Sequence, residues 1–183
     1  GYGTPPVVRP ADGGGTGVRA ALLFVNAHQT FFTQDAIRVF LDRLDCRLTC
    51  SEAAFGSFLP QLSALLKEHD TVFAVSPAEG FPPARPVCAA PLFERLHIPI
   101  GPDGEPRGIR RLPVGDVEGY LIESRTQAIC LLPDDARVLP AMLDQAAAPL
   151  CEKFSLTRRA VPPPPPIHFE EELEREYGST PSI

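Results

Sequence analysis

Three short runs constrain this chain more than anything else in it: VRAALLFVN (18–26), TVFAVS (71–76) and QAICLLP (127–133). Each has strand length and is apolar almost throughout. A strand with one wet face alternates apolar and polar residues, whereas one covered on both faces has no polar side to show. Helices must therefore lie on both sides of any sheet these runs build. The intervening segments supply them. Ile37, Phe40, Leu41 and Leu44 recur at i, i+3, i+4, i+7, which is a helical stripe. Phe58, Leu62, Leu65 and Leu66 form a second stripe, and Leu139, Met142, Leu143, Ala146 and Leu150 a last one. AAPLFERLHIPI reads as a short helix with Pro91 in its first turn, CRLTC as a short second strand, and GYLIES with QAICLLP as a hairpin closed by a tight RT turn. Thr33 or Asp35 is expected to cap the first helix and Ser57 the second. Strands alternating with helices predict a three-layer α/β/α domain around a mostly parallel mixed sheet, with right-handed crossovers.

Composition bounds what such a domain does. The chain of 183 residues fits one domain, expected over residues 18–154, with a Gly/Pro linker at 1–17 and an extension at 155–183. GGGTG in the linker precedes a strand and lacks the lysine of a phosphate loop. The extension runs from PPPPP (162–166) into FEEELEREYG, either a solvated tail or an arm that docks on a neighbour. A net charge of −6 argues against nucleic acid and against anionic lipid. No run approaches the roughly 18 apolar residues of a membrane helix, and no signal peptide is visible. The five cysteines are an odd number, which favours free thiols and a reducing, cytoplasmic setting. Cys46 and Cys50 would lie about 13 Å apart in an extended strand, too far to share a disulfide or a metal. His28, His69, His97 and His168 have no metal-ligand spacing, so no metal is expected. His69 and His97 follow helices and suit their carboxyl ends. Arg107, Arg110 and Arg111 read as surface ion-pair partners.

RLPVGDVEGYLIESRTQAICLLPDDARVLPAMLDQAAAPL (111–150) and LKEHDTVFAVS (66–76) together resemble the molybdopterin-binding domain family. That family includes molybdenum-cofactor biosynthesis proteins and the N-terminal domain of competence/damage-inducible proteins. The resemblance implies the same fold over residues 18–154, a ligand at the sheet's carboxyl edge with molybdopterin as the possible cofactor, and a homo-oligomer. By position in the family pattern it points to Asn26, His28, Ser76, Glu79, Gly80, Gly115 and Asp134 as ligand-binding residues.

The departures from that pattern bear on function. The family's Thr-Thr-Gly-Gly after the third strand is here Ala74, Val75, Ser76 and Pro77. Two hydroxyls are gone, and Pro77 has no N–H to offer an anion. Each lost charge-assisted hydrogen bond is worth on the order of 1.5–3 kcal/mol. The acidic residues just beyond are replaced by FPPARPVC, leaving Glu79 as the nearby carboxylate and Arg85 as the nearest charge. Leu-Pro-Gly before the last helix is Leu132, Pro133, Asp134, and NAHQTFF lacks the glycine and acid of the family's first loop. Asp134 and Asp135 are expected at the start of the last helix, where they favour its dipole. Ser76, His28 and Glu79 could converge as a hydrolytic set, but AVSPA lacks the glycines of a nucleophile elbow. No catalytic residue is assigned. Two functions follow: a non-catalytic descendant that senses a ligand, binds a protein partner or self-associates, or a molybdopterin- or nucleotide-binding enzyme.

Overall fold

The three apolar runs form the centre of the sheet in a computed structural model that describes residues 17–159 and Leu173. Most of the expected linker and extension lies outside the described residues. In chain order the elements are β1 (Arg19–Val25), α1 (Thr30–Asp42), β2 (Arg47–Ala53), a single 3-10 turn (Phe55–Ser57), α2 (Phe58–Leu66), β3 (Thr71–Ser76), β4 (Ala78–Glu79), β5 (Arg85–Pro86), α3 (Ala89–Arg95), β6 (Arg110–Val114), β7 (Val117–Glu123), β8 (Ala128–Pro133) and α4 (Leu139–Phe154). The main sheet has six strands in the order β2-β1-β3-β8-β7-β6. β2, β1, β3 and β8 run parallel, and β7 is antiparallel to both its neighbours. β4 and β5 make a separate two-stranded ribbon.

Strand period sorts the core into two layers. Leu22 and Phe24 of β1, Phe73 and Val75 of β3 and Cys130 and Leu132 of β8 face α1 and α4. Leu23 and Val25, Val72 and Ala74, and Ile129 and Leu131 face α2 and α3. Continuous apolar strands thus fill both sides, and the three-layer α/β/α fold with a mostly parallel mixed sheet is the fold observed.

Four local details differ from the sequence reading. β2 extends to Ala53, beyond CRLTC. β6, unanticipated, pairs with β7 around a tight turn at Gly115 and Asp116. Only Leu112 of its five residues is buried, so it carries no alternation to find. Helix α1 begins at Thr30, with no side-chain cap from Thr33 or Asp35. The Thr33 hydroxyl instead donates back to the Gln29 carbonyl (2.9 Å). Ser57 occupies the N-cap position of α2 without a side-chain cap bond. His69 does meet the carboxyl end of α2, its Nδ1 lying 2.8 Å from the Leu65 carbonyl.

Candidate functional site

Parallel strands deliver the loops that follow them to one edge of a sheet. β1, β2, β3 and β8 therefore place residues 26–29, 54–57, 77–88 and 134–138 side by side. The β6–β7 turn comes to the same edge because β7 runs the other way.

Asp134 organises this edge. Its Oδ2 accepts the backbone N–H of His28 (2.5 Å) and of Gln29 (3.1 Å), and its Oδ1 lies 3.2 Å from the Gln29 nitrogen. The Asp134 N–H donates to the Ser76 carbonyl (2.8 Å), and the Gln29 Oε1 accepts the Ala136 N–H (3.3 Å). These amides lead into the first turn of α1, where unpaired N–H groups and the helix dipole favour negative charge. Such a terminus is an anion seat. Here a carboxylate from the loop after β8 sits in it. Asp134 thus serves α1, rather than the start of α4 as expected. Asp135 stays local: it accepts the Arg137 N–H (3.0 Å), and the Arg137 guanidinium holds its carboxyl below the usual range.

The other residues singled out in the sequence scatter around this contact. Asn26 adopts a left-handed conformation (φ 51°) that asparagine tolerates. Its Oδ1 accepts the Phe55 N–H (3.2 Å), tying the β1 loop to the 3-10 turn that precedes α2. His28 contributes its amide, and its side chain is exposed. Ser76 is fully buried, and its Oγ accepts the Cys88 N–H (3.3 Å) at the start of α3. That hydroxyl faces the protein interior. Burial pushes the Cys88 thiol up to about 11, against a smaller opposing effect of the Ser76 hydrogen bond. Glu79 lies opposite Arg85 in the strand register of the β4–β5 ribbon, with no ion pair between them, and Gly80 follows it at φ 103°. Gly115 (φ 57°) makes the β6–β7 turn. The loop after β3 is fastened beside that turn: the Ala84 N–H donates to Asp116 O (2.7 Å), and the Glu118 N–H donates to Ala84 O (2.9 Å). The structure therefore brings His28, Asp134 and Ser76 together through the backbone, and leaves Glu79, Gly80 and Gly115 apart from them. The hydrolytic set does not converge, because the Ser76 hydroxyl faces Cys88 and Glu79 belongs to the ribbon. Among the described residues no group of three His, Cys, Asp or Glu is placed to hold a metal ion, and no helix is long and apolar enough to cross a membrane.

One polar cluster was read only in part: Arg111 is the ion-pair partner the sequence suggested, but its buried partner was missed. Glu118 is buried, with Arg111 Nε and Nη2 on its Oε1 (2.9 and 2.6 Å) and the Tyr120 hydroxyl on its Oε2 (2.7 Å). Glu105 Oε2 lies 3.2 Å from Arg111 and 3.0 Å from Arg85. Burial, followed by the Glu118 contact, raises the Tyr120 phenol above its ordinary value. Two cations and two carboxylates balance, so the cluster pins the loop carrying Glu105 to β7. The available signal was the spacing of Glu118 and Tyr120, which places both on one face of a strand.

The same edge exposes phenylalanines. Phe31 and Phe32 in the first turn of α1 are 77% and 62% exposed and meet edge to face at 5.3 Å. Phe55 after β2 is 43% exposed and Phe81 after β3 94%. Each of these three parallel strands is followed by a solvent-facing aromatic ring.

No family model matches the chain, and no curated protein matches it in sequence. Among solved structures the fold is similar to the crystal structure of the protein CinA, of unknown function, from Thermoplasma acidophilum. The TM-score is 0.56 at 12% identity, over 74% of this chain and 99% of that one. The chain thus shares with that protein an α/β architecture, built here on a mixed, mostly parallel sheet of six strands.

Proposed function

We propose that this domain is a diverged, non-catalytic member of the molybdopterin-binding-like fold, whose carboxyl edge serves protein interaction. The observation that carries the reading is the Asp134 carboxylate on the His28 and Gln29 amides. An external phosphate or pterin would have to displace a fixed negative charge from those amides. The loop after β3 offers little to compensate, because the Ser76 hydroxyl is turned inward and Pro77 has no N–H. Exposed aromatic rings, which supply much of the energy at protein interfaces, stand around the filled seat.

The test is an amide titration of the ¹⁵N-labelled domain with molybdopterin, its adenylated form, ADP-ribose and inorganic phosphate, each with Mg²⁺. The expected result is that the His28 and Gln29 signals stay in place in the native protein, and respond to phosphate once Asp134→Ala has emptied the seat. Saturable movement of both signals in the native protein would overturn the reading in favour of a molybdopterin or nucleotide site at this edge, as the alternative of a molybdopterin- or nucleotide-binding enzyme domain requires.

A further inference from the structure

The geometry points to a second feature of this domain: the cleft between the β4–β5 ribbon, α3 and residues 98–104 is a docking site for a short segment of a partner protein that combines basic and aliphatic side chains. The inference rests on the interaction reading and specifies the partner's chemistry. The cleft encloses about 690 Å³, within the range of sites that take a ligand of several groups. Its floor is apolar, from Val87, Ala90, Phe93, Ile98 and Ile100. Glu79 and Glu94 also line it, both exposed. No ion pair engages either carboxylate among the described residues. Arg85 lines the cleft too, but its guanidinium holds the Gly104 carbonyl (3.1 Å) and the Glu105 carboxylate (3.0 Å). Glu105 cancels that charge, and Glu118 likewise cancels Arg111. The wall therefore presents two uncompensated negative charges around an apolar floor, which suits a lysine or arginine whose methylenes lie along the floor.

The size of the exposed apolar surface argues for a peptide. Ile100 of the apolar floor is still 52% exposed, and Phe81, adjoining Gly80 at the rim, is 94% exposed. A small amine would satisfy the carboxylates and leave both side chains wet, whereas a segment of several residues covers them. Pro86 at the cleft and Pro82 and Pro83 just before it restrict the wall's backbone, so little ordering is needed on binding.

The decisive experiment screens a positional-scanning hexapeptide library against the purified domain by fluorescence polarisation. The expected winners carry Lys or Arg beside Leu, Ile or Val. Their affinity should fall at least tenfold in the double variant Glu79→Lys, Glu94→Lys and at least tenfold in Ile100→Ser. Glu152→Lys, on α4 across the sheet, should leave it unchanged. Circular dichroism melts confirm that each variant is folded. Selection of acidic peptides, no enrichment at all, or undiminished binding by the folded double variant would overturn the proposal. Those results with silent His28 and Gln29 amides leave the interaction reading standing, whereas movement of these amides under a pterin removes that reading itself.

Discussion

At Asp134 a single carboxylate occupies two backbone amides just ahead of α1. The Asp134→Ala change strips an acceptor from the His28 and Gln29 amides, which are open to water, and should cost about 0.5–1.5 kcal/mol, the usual net contribution of a hydrogen bond. Asp134→Asn keeps one acceptor oxygen and should cost less. Urea denaturation of the three proteins reads the order directly, and equal midpoints for all three would remove Asp134 from its place in the α1 terminus. Ser76 makes the complementary case. Its hydroxyl accepts a buried N–H from Cys88, so Ser76→Ala should destabilise by about 1–3 kcal/mol without creating or abolishing any anion affinity. Ser76 was legible as a residue at a strand's carboxyl end. Its orientation was not, because Cys88 lies twelve positions later on another element. Asp134 was likewise legible as an oddity in Leu132, Pro133, Asp134, but its partners lie more than a hundred residues away, and no local pattern encodes such a contact.

Among the elements, the continuous strands and striped helices were readable because burial on one or both faces leaves a periodic trace. β6 left none. Its residues RRLPV bury only Leu112, and Pro113 is tolerated because the strand lies at the sheet edge. Charge and proline there also discourage pairing with another chain. Its partner β7 carries the opposite constraint. At Gly119 an added Cβ would lie 2.8 Å from the Leu131 carbonyl oxygen and 3.0 Å from the Met142 sulfur. The carbonyl belongs to the neighbouring strand and cannot step aside. Gly119→Ala should therefore destabilise by about 1–3 kcal/mol through overpacking, and a chemical-denaturation midpoint equal to the parent's would refute the close approach of β7, β8 and α4.

For the whole molecule, the two-sided core sets how stability depends on pH. Burial raises Cys88 to about 11 and Cys130 to about 12, against an ordinary thiol value of 9.0. A raised folded-state value means that the neutral thiols contribute stability in full below the unfolded value and lose it as pH climbs through the folded one. Denaturation midpoints should hold up to about pH 9 and fall toward pH 11 and beyond; a flat profile across that window would contradict the burial of both thiols. The sequence by itself determined the layered α/β/α architecture, because apolar period is a local property that survives without knowledge of neighbours. It also marked the carboxyl edge, because the direction of parallel strands decides where their loops emerge. Only the tertiary structure decided which groups meet at that edge. Whether a serine faces solvent or a buried amide, whether an aspartate repels an anion or occupies its seat, and whether Glu79 and Glu94 share a cleft all depend on groups distant in the chain meeting in space. Those meetings are set by packing of whole elements, which residue order constrains only through the fold.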